Sequence, residues 1–332
     1  MQLDIAPVYD EAYECFQCIL VSVANYFGFE YELMFASSWG FELLPGNMHE
    51  PYCSFGSRLE RSWEVSFVDL LNRYHGIAAV QKSVCTLADL QSLFEREIQK
   101  GMPVALFMDS FWCRWTLTYN KYHYNHSVLI TKIDKQNERL YCIDPYYSSK
   151  VEQMTFKELE GKFDNCSIFE IGEPLQKNIK WHEVVAESLI LLKYGSEYSM
   201  FGSIRKFADD IEKSLDIRLE VDGVDTLYAA PIFVQLKKIR SYRMTFAKTL
   251  MYLSKKYGVE ELCISGTSML NAGNMWSQLS MILIKMAMSA QQEHHLLKKR
   301  AAGLIRDIAD AEESIAHALM RTIRDFGGEC NG

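Results

Sequence analysis

"YECFQCILVSVANYFGF", residues 13–29, sets two cysteines three positions apart at the mouth of an amphipathic segment. Three readings compete for it: a metal knuckle, a buried helix that contains thiols, and a nucleophile at a helix N-terminus. The spacing predicts a helix beginning near Cys15, with Phe16, Ile19, Leu20, Val23 and Phe27 on one face and Gly28 as the stop. A cysteine in the first turn of such a helix faces N–H groups with no partner inside the helix, and these favour a thiolate and can hold a developing oxyanion.

Working outward, residues 87–100 read as a second helix ended by Gly101, and "PVALFM" (103–108) as a short buried strand. "SVLITKI" (127–133) and "RLYCIDP" (139–145) flank the polar turn "DKQNE", which predicts a β-hairpin. His126 stands just before the first strand of that hairpin and Asp144 near the end of the second, nearly equidistant from the turn. Antiparallel pairing makes them neighbours, and a carboxylate beside an imidazole fixes its tautomer and stabilises the imidazolium. Cys15, His126 and Asp144 then form a candidate triad, in the chain order of papain-like enzymes.

The chain has 332 residues, nearly half of them apolar and 13% aromatic, enough for two globular domains with real cores. It lacks an apolar run long enough to span a bilayer, and its acidic start, "MQLDIAPVYDEAYE", is unlike a secretory signal. Nine cysteines without framework spacing predict reduced thiols and a cytoplasmic protein. The net charge of −8 argues against nucleic-acid binding and suits an amine-bearing substrate. Strand signals fade beyond "IGEPLQKNIK" (171–180), after which five segments carry helical periodicity. The expected architecture is α+β: a papain-like domain over residues 1–175 and a mostly helical domain over 176–332.

Several motifs resemble a known family. "ECFQCILVSVANYFG" is similar to the nucleophile helix of papain-like bacteriocin-leader peptidases, and more so to the N-terminal domain of the butirosin-biosynthesis protein H type of acyltransferase. "YELMFASSWGFEL" (31–43), "IQKGMPVALFMDSFW" (98–112), "NHSVLITKID" with "LYCIDP", "YRMTFAKTLMYL" and "MWSQLSMILIKMA" extend the resemblance over most of the chain. The resemblance implies thiotemplated acyl transfer in specialised-metabolite and antibiotic biosynthesis, as in the transacylase of closthioamide assembly. An acyl group arrives as a thioester on the phosphopantetheine arm of a carrier protein, passes to Cys15, and leaves on a small-molecule amine. No bound cofactor, metal, nucleic acid or membrane is implied. Where papain-like peptidases carry an oxyanion glutamine, six residues before the nucleophile, this chain has Tyr9.

Other side chains have rival readings. Cys15 and Cys18 with His123 and His126 could form a Cys₂His₂ zinc site, although the histidine spacing is short. Cys18, one turn along, reads as a packed thiol, and His123 is the rival base. Asp109 could bind an acceptor ammonium or cap the strand end. The aromatic stretch 111–125, with Trp112, Trp115 and Tyr124, is either an anchored surface loop or a lid over an acyl pocket. The Met-rich segment 275–288 reads as helical core. Lys237, Lys238, Arg240 and Arg243, or Lys298, Lys299 and Arg300, could dock an acidic carrier, though a solvated helix face is the simpler reading. His294 and His295 fall on a solvated helix, and His49, His75, His182 and His317 have no companion pattern. The same active site could instead hydrolyse a peptide or amide, or the cleft could bind such a molecule without turnover.

Overall fold

The computed structural model describes residues 2–46, 52–60, 66–193 and 199–326, so His49 lies outside the described residues. The fold is α+β, and its chain divides into two compact units: Met1–Leu33 with Val68–Lys177, and Met34–Phe67 with Asn178–Gly332.

In the first unit, α1 spans Cys15–Phe27. The Asp10 carbonyl and carboxylate accept from the N–H groups of Tyr13 and Ala12, turning the chain into the helix. Glu14 N–H donates to Gln17 Oε1 at 2.9 Å, the reach-back half of a capping box. The helix stops where expected: Gly28 takes a left-handed conformation (φ 73°), and its N–H closes on Ala24 and Asn25 carbonyls. After α2 (Phe67–His75) come β1 (Ile77–Lys82), α3 (Leu87–Gln99), β2 (Val104–Asp109), β3 (Asn125–Asp134), β4 (Arg139–Ile143), β5 (Val151–Thr155) and β6 (Phe163–Ile171). The strands form one antiparallel sheet in the order β1-β6-β2-β3-β4-β5.

Side-chain alternation divides this sheet by face. Val104, Leu106 and Met108 of β2, Val128 and Ile130 of β3, and Leu140 and Cys142 of β4 pack with Leu90, Leu93 and Phe94 of α3. Phe107 turns the other way and meets Phe16 of α1, ring centroids 4.9 Å apart. The expected hairpin is β3–β4, with a bulge between Ile130 and Lys132. Buried His75 has a structural partner: Leu33 N–H donates to its Nε2 at 3.1 Å.

The second unit is mostly helical: α4 (Trp181–Leu191), α5 (Met200–Ser214), α6 (Pro231–Tyr257), α7 (Glu260–Met288) and α8 (His294–Phe326). The Met-rich segment 275–288 is the second half of α7, which starts well before it at Glu260 and ends at Met288, where Ser289 takes the C-cap. Gly266 lets α7 lie close against α6, since an added Cβ would lie 3.1 Å from the Ala247 carbonyl. Met281 and Met288 are exposed, so the Met-rich segment is only in part core.

Segment 34–67 groups with these helices rather than with the sheet. Two buried polar centres bind it there. Glu312 accepts from Arg243 Nε and Nη2 at 2.9 Å and from Trp39 and Trp276 Nε1 at 2.8 Å, while Arg243 Nη1 donates to the Gly40 carbonyl at 2.6 Å. Glu220 likewise accepts from Tyr52, Ser54 and the N–H groups of Phe55 and Gly56. Arg243 is therefore corrected as a docking residue: its side chain is 0% exposed and neutralises Glu312 in a core. Lys237, Lys299 and Arg300 are exposed, and Lys238, Arg240 and Lys298 half-buried. Among the described residues, no helix is long and apolar enough to cross a membrane.

Candidate active site

The hairpin and the head of α1 bring three chemical groups together inside the first unit. Continuing the Leu129–Ile143 register sets Asp144 across from Val128, one pleat from His126. His126 Nε2 donates to Asp144 Oδ2 at 2.7 Å, with both side chains almost fully buried. A carboxylate only accepts, so the proton sits on Nε2 and Nδ1 is left for the sulfur. Cys15 and His126 act on each other's protonation, the sulfur's charge raising the imidazole and the imidazole lowering the thiol.

Asp144 is held by four donors. Oδ2 accepts from His126 Nε2 and from Trp115 Nε1, both at 2.7 Å, and Oδ1 from the N–H groups of Tyr146 and Tyr147, both at 3.2 Å. Burial works against the charged imidazolium, but the Asp144 hydrogen bond, the Cys15 hydrogen bond and both negative charges prevail and raise His126 to about 9. Burial pushes the Cys15 thiol up, whereas the His126 hydrogen bond and charge, and then Ser127, pull it below its ordinary value against Glu14. Both shifts favour a thiolate–imidazolium pair at the N-terminus of α1.

Aromatic rings close around the imidazole. Tyr147 meets His126 edge-on at 5.1 Å, Tyr146 packs on Tyr147, and Tyr9 on Tyr146 at 6.1 Å. Tyr9, the candidate oxyanion donor, is 60% exposed at the outer end of this wall. Sequence reasoning missed Tyr146, Tyr147 and Ser127, although "DPYY" directly after the triad carboxylate was the available signal.

The other candidates separate by role. Trp115 supports Asp144. Asp109 accepts from Phe111 N–H and Tyr124 N–H and bonds His123 Nδ1 at 2.6 Å, so its carboxylate clasps both ends of the aromatic loop. His123 stacks on Phe111 at 4.2 Å and belongs to that clasp, apart from the Cys15 pair. Trp112 and Tyr124 are exposed, and Lys162 Nζ lies 4.3 Å over the Trp112 ring. Cys18 is fully buried, and burial raises its thiol to about 12. The Cys₂His₂ alternative is thus not assembled, and among the described residues no three His, Cys, Asp or Glu side chains are grouped as metal ligands.

These features define a cysteine–histidine–aspartate site on an antiparallel sheet. The Peptidase_C39 like family matches residues 41–167, less than half of the chain. The matched stretch contains His126 and Asp144 and begins after Cys15. No curated protein matches the sequence.

Proposed function

We propose that this protein is a papain-like, cysteine-dependent acyltransferase that takes an acyl group from a carrier-protein thioester and delivers it to an amine. The observation that carries the reading is the buried Asp144–His126 pair presenting its free ring nitrogen to Cys15 at the head of α1. The Cys15 thiolate attacks the thioester carbonyl carbon, and the α1 N-terminal N–H groups receive the oxyanion charge. The intermediate collapses with cleavage of the bond to the phosphopantetheine sulfur, which takes the proton from His126. The acceptor amine then attacks the acyl-Cys15 ester, His126 accepts its proton, and the amide leaves as the Cys15 thiolate reforms. Asp144 holds the imidazole in register throughout. Lys237, Lys238 and Arg240, or Lys298, Lys299 and Arg300, are the docking candidates for an acidic carrier.

The match to a peptidase-like family favours a second reading, hydrolysis of a peptide or amide through the same acyl-enzyme. An acyl-pantetheine thioester offered with and without a diamine separates the two. Intact mass should show acyl on Cys15, and amide should exceed free acid at saturating amine. Free acid dominating at every amine concentration would leave the hydrolase reading, and unmodified Cys15 with no turnover would leave a binding protein.

A further inference from the structure

Ser127 follows His126 on β3 and is almost fully buried, yet its hydroxyl oxygen has no hydrogen-bond partner among the described residues. A buried hydroxyl without a partner is costly and uncommon. The register shows what it faces. Ser127 pairs with Phe107 across β2–β3, and Phe16, next to Cys15, packs on Phe107, so the head of α1 sits against this part of the strand pair. A thiol is a weak acceptor, whereas a thiolate is a strong one.

We propose that Ser127 is the hydrogen-bond donor to the Cys15 thiolate: its hydroxyl, buried beside the sulfur with no other partner, bonds the sulfur when that sulfur carries charge. This rests on Cys15 being the nucleophile. The consequence falls on the second half of the reaction. Expelling Cys15 from an acyl-enzyme returns negative charge to the sulfur, and a donor waiting there makes it a better leaving group. The pull of Ser127 on the Cys15 thiol has the same sense. The other groups facing the sulfur are Glu14 and Cys18 of the α1 region, His126 with Asp144 behind it, and Tyr147.

The test is the pH dependence of Cys15 alkylation by iodoacetamide in the full chain, which needs no acyl substrate. Ser127→Ala should move the midpoint up by about one pH unit, a tenfold loss of thiolate at low pH. A more basic thiolate is also intrinsically more nucleophilic, with a Brønsted slope near 0.45. The two profiles should therefore cross: Ser127→Ala alkylates roughly threefold slower below the midpoint and roughly threefold faster above it. Ser127→Thr and Ser127→Val share a shape and differ in the hydroxyl, so Thr should follow the wild type and Val should follow Ala. Superimposed wild-type and Ser127→Ala profiles, or equal shifts in Thr and Val, would overturn the proposal. A wild type that alkylates as expected but transfers no acyl group would remove the transferase reading and leave Ser127 as the thiolate donor.

Discussion

Asp144→Asn removes one charge and changes almost no volume, which isolates the electrostatics of the site. The carboxylate accepts two hydrogen bonds on each oxygen. An asparagine has one acceptor oxygen, so its amide nitrogen must face either Trp115 and His126 or the N–H groups of Tyr146 and Tyr147. Two of four donors then lose their acceptor. At about 1–3 kcal/mol for each buried donor left unmade, unfolding should become easier by about 2–6 kcal/mol. The chemistry should fail in parallel. Asp144 is the first of the groups that raise His126 to about 9, and without its charge the thiolate–imidazolium population should fall about 10- to 100-fold. If the amide nitrogen faces Nε2, the imidazole also adopts the wrong tautomer and cannot deprotonate Cys15. Denaturant unfolding reads the first effect and iodoacetamide alkylation near neutral pH the second. A variant that unfolds at the wild-type midpoint and alkylates at the wild-type rate would refute the reasoning.

His126→Ala should lower turnover by about 10²-fold or more, while His123→Ala, which loosens only the loop clasp, should stay within a few-fold; acyl-Cys15 accumulation by mass distinguishes them. Arg243→Ala strands Glu312 in a core and should cost about 3–5 kcal/mol in denaturant unfolding. Lys237→Glu with Lys238→Glu should leave stability within about 0.5 kcal/mol and raise KM for the carrier substrate. Stability against pH gives a further check. The raised His126 contributes fully below about 6.5 and fades as pH rises towards about 9, whereas the lowered Cys15 contributes above the ordinary thiol range and fades as pH falls through its own value. Where the two titrations overlap, their slopes oppose each other in the wild type. Cys15→Ala should therefore lose stability as pH rises from neutral, and equal slopes in both proteins would contradict the pairing.

The parts of the site legible in the sequence were those whose partners lie close along the chain. Gly28 ends α1 because a left-handed residue must close it, and His126 meets Asp144 because one hairpin joins them. Long-range pairing was not legible. Arg243 sits in "LKKIRSYR", which reads as a solvated basic face, and the carboxylate that buries it, Glu312, lies 69 positions away. Trp39 and Gly40 read as part of the first domain for the same reason, since their partners are on α6 and α8. Strand β5, "VEQMT", buries only Met154 fully, so no alternation announced it. The early start of α7 was hidden because small residues, chosen for close helix contact, carry little hydrophobic periodicity.

In the proposed reaction, the aromatic loop bears on whether an acyl-enzyme would meet water or an amine. A lid that opens would be tethered at its ends and poor in bonds of its own. This loop is bonded internally along its length. Asp109 joins its two ends, Ser110 N–H donates to the Tyr124 carbonyl, and Thr116 Oγ1 bridges to the Ser110 and Cys113 carbonyls. Cys113 is fully buried in the sheet's core, and Trp115 is tied to the triad carboxylate itself. Displacing the loop would break the Trp115–Asp144 bond, so the loop position and the Asp144 carboxylate are coupled. The loop is therefore bonded along its length beside the Asp144–His126 pair, without the sparse bonding expected of a lid. In the proposed reaction, selection of amine over water follows from the shape of that loop and of the Tyr9–Tyr146–Tyr147 rings, with no closing step needed to assemble the nucleophile.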